Sequence, residues 1–359
     1  MNRALNFNAG PAVLPETVLK EAEKNWLNFN DTGMAVMELS HRSKEYETIH
    51  HQAISLLRNL LSIPDSFEVL FLQGGASLQF SMVPLNFLTE GRTGNYVLTG
   101  AWAEKALTEA EKVGKTFISA SSKNQQYKAI PTGNIEISAD AAYLHITSNN
   151  TIYGTQWQQF PTNARIPLVA DMSSDLLSRK IHIEDFDLIY AGAQKNLGPS
   201  GVTVVIIQKK LLSESGSHLP TMLNYNTYAN HNSLYNTPPT LAIYLLKLVL
   251  EWAKGLGGLT VIEQRNEEKA MILYDAIDCS EGFYLGHAEK ESRSKMNVTF
   301  NLHNEETATN FLHQAKEEGF IGLNGHRSVG GCRASIYNAM PMEHVLQLAE
   351  FMKKFKKSN

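Results

Sequence analysis

FDLIYAGAQKNLGPSGVTVVIIQ, Phe186 to Gln208, sets one apolar run against another across a glycine-rich turn. Phe186 to Tyr190 and Val202 to Gln208 read as buried strands, and Gly192, Gly198, Pro199 and Gly201 let the backbone turn tightly between them. Lys195 sits in that turn at the mouth of the first strand. Among apolar neighbours its amine can lose a proton and attack carbonyls. Upstream, IPLVAD from Ile166 to Asp171 is a second apolar run, ending in a carboxylate and followed by Met172, Ser173 and Ser174. An acid at the carboxyl end of a strand is well placed for chemistry.

Working outward, strand-like runs recur at Val69 to Gln73, Tyr96 to Thr99, Thr116 to Ser119 and Tyr143 to Thr147, with helical patterns between several of them. The alternation predicts an α/β fold: a mainly parallel seven-stranded sheet with helices on both faces, whose ligand site lies outside the carboxyl ends of the strands. Thr240 to Ala253 reads as a buried helix stopped by Gly255-Leu256-Gly257-Gly258. Beyond it, helices at Leu259 to Ile277, Glu306 to Glu318 and Met342 to Phe355, with a strand at Asn297 to Leu302, suggest a smaller α+β C-terminal domain. The expected division is a large domain over 17–257, with 1–16 and 258–359 forming an N-terminal arm and the small domain.

A chain of 359 residues can bury a large core. Its net charge of -4 and pI near 6.3, with no basic run carrying interleaved aromatics, argue against nucleic-acid binding. The start, MNRALNFNAGPAVLP, lacks the apolar core of a signal peptide, and no segment has the roughly eighteen apolar residues of a membrane span, so the expected location is the cytoplasm. Cys279 and Cys332 suggest neither a disulfide framework nor a zinc site, and Cys332 reads as a small buried residue. His50-His51 and the other histidines lack metal-ligand spacing and read as surface or helix-face residues, so no metal is expected. No G-x-G-x-x-G follows a predicted strand, which argues against a dinucleotide oxidoreductase.

Pyridoxal phosphate needs a lysine to form its Schiff base and a carboxylate to keep the pyridine nitrogen protonated, and Lys195 and Asp171 fill those roles. Its phosphate needs backbone N–H donors, which FLQGGASLQF offers as a strand, a glycine turn and a helix N-terminus. With these features, the segments FNAGPA (Phe7 to Ala12), ELSHRSKEY (Glu38 to Tyr46), TSNNTIYGT (Thr147 to Thr155) and GHRSVGGCRASIYNAMP (Gly325 to Pro341) resemble the phosphoserine aminotransferase family, a class V, fold-type I group of pyridoxal phosphate enzymes.

The resemblance implies roles residue by residue. Ala76 and Ser77 bind the cofactor phosphate with Gln194, Trp102 stacks on the pyridine ring, and Thr151 touches the phenolic oxygen. Asn236 and Thr237 of LYNTPPT reach the phosphate from a neighbouring subunit, which implies a homodimer with shared active sites. The same residues also read as a helix entry, with Thr237 as cap and the prolines in the first turn. Arg333 clamps the α-carboxylate, while His41, Arg42, His326 and Arg327 surround the substrate phosphate, one pair crossing from the other subunit. Ser77 stands where some relatives carry a basic residue, and Asn150 where many carry glutamate. The implied reaction moves the amino group of L-glutamate to 3-phosphohydroxypyruvate, giving O-phospho-L-serine and 2-oxoglutarate in serine biosynthesis. The family also serves vitamin B6 synthesis in some bacteria. The nearest rival, a class V enzyme acting on alanine, serine or glyoxylate, would lack a use for the GHR cluster.

Overall fold

Strands buried on both faces read as unbroken apolar runs, and this is how the central sheet is built. The computed structural model describes residues 3–131, 133, 135–161, 166–216, 218–327 and 329–359. Numbering the strands of the two larger sheets, the central one contains β1 (Phe67–Leu72), β2 (Thr93–Leu98), β3 (Thr116–Ser121), β4 (Ala141–Thr147), β5 (Leu168–Asp171), β6 (Leu188–Gly192) and β7 (Thr203–Gln208). Their order is β1-β7-β6-β5-β4-β2-β3, and β7 alone runs against its neighbours. Only ten residues, 193–202, separate β6 from β7. A parallel crossover needs a dozen or more, so the chain must turn straight back, and Lys195 rides on that return.

Pleating sends alternate side chains to opposite faces, and helices cover both. Numbering helices of ten residues or more, α1 (Lys44–Leu61) and α4 (Thr240–Gly255) pack with Phe71, Ile146, Ala170 and Ile206 on one face. On the other, α2 (Gly75–Phe87) and α3 (Ala101–Glu111) pack with Leu72, Val169, Tyr190 and Val205. A third core joins Phe7 and Val13 to apolar residues between Ala270 and Phe355. It holds α5 (Leu259–Asp278), α6 (Glu305–Glu317), α7 (Met342–Ser358) and an antiparallel sheet of β8 (Tyr284–Gly286), β9 (Asn297–Leu302) and β10 (Cys332–Ser335). Leu5–Asn6 pairs with Phe320–Ile321, so the amino-terminal strand belongs to this core. Cys332 is buried there, and burial pushes its thiol up to about 12. No helix among the described residues is long and apolar enough to cross a membrane.

One sequence expectation is corrected and one open reading is resolved. Thr237 is not a helix cap: α4 begins at Thr240 with Pro239 in the cap position, because a residue preceding proline is driven out of helical conformation and 237 and 238 both precede one. Of the two readings for His50, surface or helix face, the second holds: it is fully buried on the inner face of α1, four residues after buried Tyr46 and edge-on to Phe71 at 5.1 Å, and burial pushes its imidazole down to about 4. His51, one step round the helix, is exposed.

The central body and the third core meet at Gly154, where φ is +69° and an added Cβ would lie 2.8 Å from the Asn297 carbonyl oxygen of β9. Gly154→Ala combines left-handed backbone with overpacking and is expected to cost about 2 to 4 kcal/mol. The urea midpoint of the cofactor-free variant should fall with no change in slope; an unshifted midpoint would contradict this packing.

Candidate functional site

Five strands deliver their carboxyl ends to one cavity of about 510 Å³. After β1 comes a left-handed Gly74-Gly75 turn and the start of α2, whose first N–H groups have no partner within the helix. After β2 comes Trp102, at the start of α3, and after β4 the short strand Asn149–Asn150 and the turn that opens at Thr151. Strand β5 ends in Asp171, and β6 leads into Gln194 and Lys195.

Asp171 is buried, and its Oδ1 accepts from the Ser173 hydroxyl at 2.6 Å and the Ser173 N–H at 2.9 Å. Among the described residues Oδ2 accepts from none. The Ser173 Oγ also accepts from the Gly192 N–H at 3.1 Å, tying the acid to the end of β6. Burial pushes the Asp171 carboxyl up, against the opposing pull of Ser173 and Lys195. Lys195 moves the other way: burial carries its amine down to about 8, Asp171 resists, and Arg333 adds to the fall. An amine of that kind is partly unprotonated near neutral pH and able to attack a carbonyl.

The walls are equally ordered. The Trp102 Nε1 donates to Thr151 Oγ1 at 3.1 Å, and Arg333 Nη1 donates to the Thr151 carbonyl at 3.0 Å. Among the described residues, neither the buried Arg333 Nε nor the buried Thr147 Oγ1 has a hydrogen-bond partner. The segment Ala9–Ala12 crosses above the lysine: an added Cβ on Gly10 would sit 3.5 Å from Lys195 Cγ, and the Ala12 N–H donates to the Gln194 carbonyl at 2.9 Å. A nucleophilic amine, a buried carboxylate, an aromatic wall and a helix N-terminus suit a flat, phosphate-bearing heteroaromatic carbonyl compound.

Of the residues predicted from sequence, Ala76, Ser77, Trp102, Thr151, Asp171, Gln194, Lys195, His326 and Arg333 line this cavity. Burial lowers the affinity of His326 for a proton, and Arg333, Arg327 and Lys105 add to the effect in that order, so cationic groups gather at this side. His41, Arg42, Asn236, Thr237 and Arg327 do not line it. Thr237 Oγ1 and His41 Nδ1 lie 3.1 Å apart, and Gln73 Nε2 donates to the Thr237 carbonyl at 3.3 Å, so this second polar cluster stands beside the Gln73–Gly74 turn. Asn150 also lies outside the lining, its amide donating to Thr99 Oγ1 and Thr155 Oγ1 at 3.1 Å each. Sequence reasoning assigned no role to Ser173, although an Asp-x-Ser step is a recognisable local hydrogen-bond motif. It also passed over Lys105, whose Nζ lies 4.4 Å from the Trp102 ring centroid.

The family model for class-V aminotransferases matches residues 4–348. The chain is 63% identical over 358 residues to a phosphoserine aminotransferase of Geobacillus kaustophilus, covering 99% of both chains. It is 60% identical over 359 residues to the phosphoserine aminotransferase of Bacillus subtilis, covering 100% of both. Among solved structures it is similar to the phosphoserine aminotransferase from Bacillus circulans subsp. alkalophilus, with a TM-score of 0.98 at 54% identity over 99% of each chain. It is also similar to a PLP-bound phosphoserine aminotransferase from Trichomonas vaginalis, with a TM-score of 0.93 at 38% identity, over 98% of this chain and 100% of that one.

The lowered basicity of Lys195 gives a direct test. In the cofactor-free protein, reductive methylation with formaldehyde, read by peptide mapping, should reach half its maximal rate at Lys195 near pH 8. Exposed lysines should need a pH above about 10. A Lys195 profile matching the exposed lysines would contradict the electrostatics of the cavity.

Proposed function

The chain belongs to the class-V aminotransferase family, and we propose that within it this protein carries the amino group of L-glutamate to 3-phosphohydroxypyruvate, yielding O-phospho-L-serine and 2-oxoglutarate, on pyridoxal 5'-phosphate held in the central cavity. The observation that carries the proposal is the opposed pair Lys195 and Asp171, facing a cavity that Arg333 and His326 also line.

The residues present fit the cofactor. Bound there, pyridoxal phosphate supplies a carbonyl that condenses with amines and a protonated ring that withdraws electrons from the substrate's α-carbon. Asp171, with Oδ1 fixed by Ser173, would keep the ring nitrogen protonated. The first N–H groups of α2, at Ala76 and Ser77, and the Gln194 side chain would receive the phosphate. Trp102 would stack on the ring and Thr151 would hold its phenolic oxygen. Lys195, as a free amine, would act as the base that takes the proton from the substrate's α-carbon. Arg333 takes the α-carboxylate through its guanidinium fork. His326 and Arg327, with His41 and Arg42 from a second copy of the chain, receive the phosphate of the keto acid.

The exposed cluster around Thr237 supports that second copy. Arg42, Asn236 and Thr237 are exposed and held beside His41 outside their own cavity. Trp26, Leu27, Met34, Met37 and Tyr235 expose apolar surface on the same stretches of sequence. We take the protomer to comprise the large domain 17–257 and a small domain of 1–16 with 258–359, acting in the cytoplasm.

Charge-assisted hydrogen bonds to phosphate are worth about 1.5 to 3 kcal/mol each, so two or three discriminate by roughly a thousandfold. After conversion of the holoenzyme with glutamate, the original visible absorbance should return rapidly with 3-phosphohydroxypyruvate and poorly with hydroxypyruvate, pyruvate or glyoxylate. Equal return with an unphosphorylated acid would discard the phosphate reading. No spectral change with glutamate would discard the donor. Lys195→Ala should abolish turnover.

Shared sites are checked by complementation. Lys195→Ala, inactive alone, and Arg42→Ala, weakened alone by roughly ten- to a hundredfold, should regain about a quarter of wild-type turnover when unfolded and refolded together, since half the dimers are mixed and each has one intact site. No recovery would rule out sharing through Arg42.

A further inference from the structure

Arg333 and Ser335 in β10 and Tyr337 just beyond it are spaced by two, and Arg333 and Tyr337 reach across to different walls of the cavity. Arg333 donates to the Thr151 carbonyl at 3.0 Å. Tyr337 donates its hydroxyl hydrogen to the Ala9 carbonyl at 2.7 Å, holding the segment that crosses Lys195. Ser335 and Tyr337 are joined through Asn297, whose Nδ2 donates to Ser335 Oγ at 3.0 Å and to Tyr337 Oη at 3.2 Å. The Asn297 Oδ1 in turn accepts from Asn149 Nδ2 at 2.8 Å, and Asn149 Nδ2 also donates to Ser174 Oγ at 2.8 Å.

Ala9, Asn149, Ser174 and Arg333 all line the cavity. Asn297 does not, yet it links the strap above the lysine, the floor and the strand of the carboxylate clamp. It is 0% exposed, and Tyr337 and Ser335 are 1% exposed. Both amide hydrogens and the oxygen of Asn297 are used, a pattern only an amide can supply. Behind Tyr337, buried Lys269 donates to the Ile336 and Tyr337 carbonyls at 3.0 and 2.6 Å, fixing the backbone from which the phenol projects. A satisfied buried network specifies one arrangement, because any other leaves polar groups unpaired.

We propose that Asn297 is a positioning residue for amino transfer: by bridging Asn149 to Ser335 and Tyr337, it holds Arg333 and the Ala9–Gly10 strap at a fixed distance from Lys195. The proposal rests on the amino-transfer reading of the cavity and on Arg333 as the α-carboxylate clamp. It does not depend on the phosphorylated acceptor, because donor and acceptor both present an α-carboxylate.

The test uses Asn297→Leu, which keeps the side-chain shape, adds no charge and loses the acceptor and both donors, Tyr337→Phe, which removes one oxygen, and the double variant. In the holoenzyme KM for glutamate and for the keto acid should rise together, by about tenfold or more, as expected for loss of neutral hydrogen bonds. The change in kcat should be smaller, and the preference among keto acids should not move. The double variant should show the KM of the worse single variant, because both act through one network. In the cofactor-free protein, hydrogen exchange over 7–12 and 332–338 should quicken while the seven-stranded sheet stays protected. If KM stays at the wild-type value while only the melting temperature falls, Asn297 is structural and the proposal is overturned; additive KM effects or unchanged exchange in both segments overturn it as well. Should wild-type protein fail to respond to glutamate, the reaction assigned above fails, and the exchange measurement still decides whether Asn297 holds the seam.

Discussion

Two ionisable groups taken out of water at the ends of adjacent strands set the terms for this structure. Burial works against the charged form of each, pushing Lys195 down and Asp171 up, while their mutual attraction limits both shifts. Such a pair is held only by a frame that cannot relax around it. The frame is the central sheet, with β5 and β6 paired from Val169 with Leu188 to Asp171 with Tyr190, and with Ser173 bridging the acid to the Gly192 N–H. The short return into β7 completes it, since ten residues leave the lysine little freedom to withdraw from the cavity. A ligand bringing a protonated ring nitrogen to Asp171 and a carbonyl to Lys195 relieves both penalties at once.

Those strands were legible because burial on both faces leaves an apolar signature. Val202 to Gln208 was expected and Thr203–Gln208 is observed; Asn297 to Leu302 was expected and found unchanged. The glycines after Ala253 ended α4 as anticipated, Gly258 N–H donating to the Ala253 carbonyl at 3.1 Å. The choice left open at His50 and the misread cap at Thr237 both came from reading residues singly. His50 follows Tyr46 by four and precedes Ala53 by three, both buried, so helical periodicity places it on the inner face of α1 whatever its polarity. Thr237 has the chemistry of a helix cap, but two consecutive prolines after it delay the helix to Thr240. Its hydroxyl is left for His41, 196 positions away in sequence.

The candidate site divides along the same line. Lys195, Asp171 and the Gly74-Gly75 turn were legible because each sits where a strand stops, and strand ends can be read locally. What arranges them was not legible. The Ala9 carbonyl meets Tyr337 across 328 positions, and Asn149 meets Asn297 across 148. Asparagine and serine carry no periodic signal in either partner. Only the fold tells a buried asparagine that joins three walls from one that turns a surface loop.

The chemistry of that seam follows from the lysine it surrounds. A unit charge about 10 Å away at an effective dielectric of 20 is worth about 1.7 kcal/mol, more than one pKa unit. An ion pair broken or loosened among the supports would therefore retune Lys195, as Arg333 already does. Amides, hydroxyls and a phenol fix geometry as firmly and leave the field alone. The charged groups nearby are neutralised in other ways. Asp175 is paired with Arg179 at 2.8 Å and held below the usual carboxylate range although burial opposes it. Lys269 is pushed down to about 7 by burial, with Arg265 adding to the fall, so it can hold two carbonyls as a partly neutral amine. The site thus separates its tasks: charge is reserved for the groups that meet ligand, and neutral hydrogen bonds keep those charges in place.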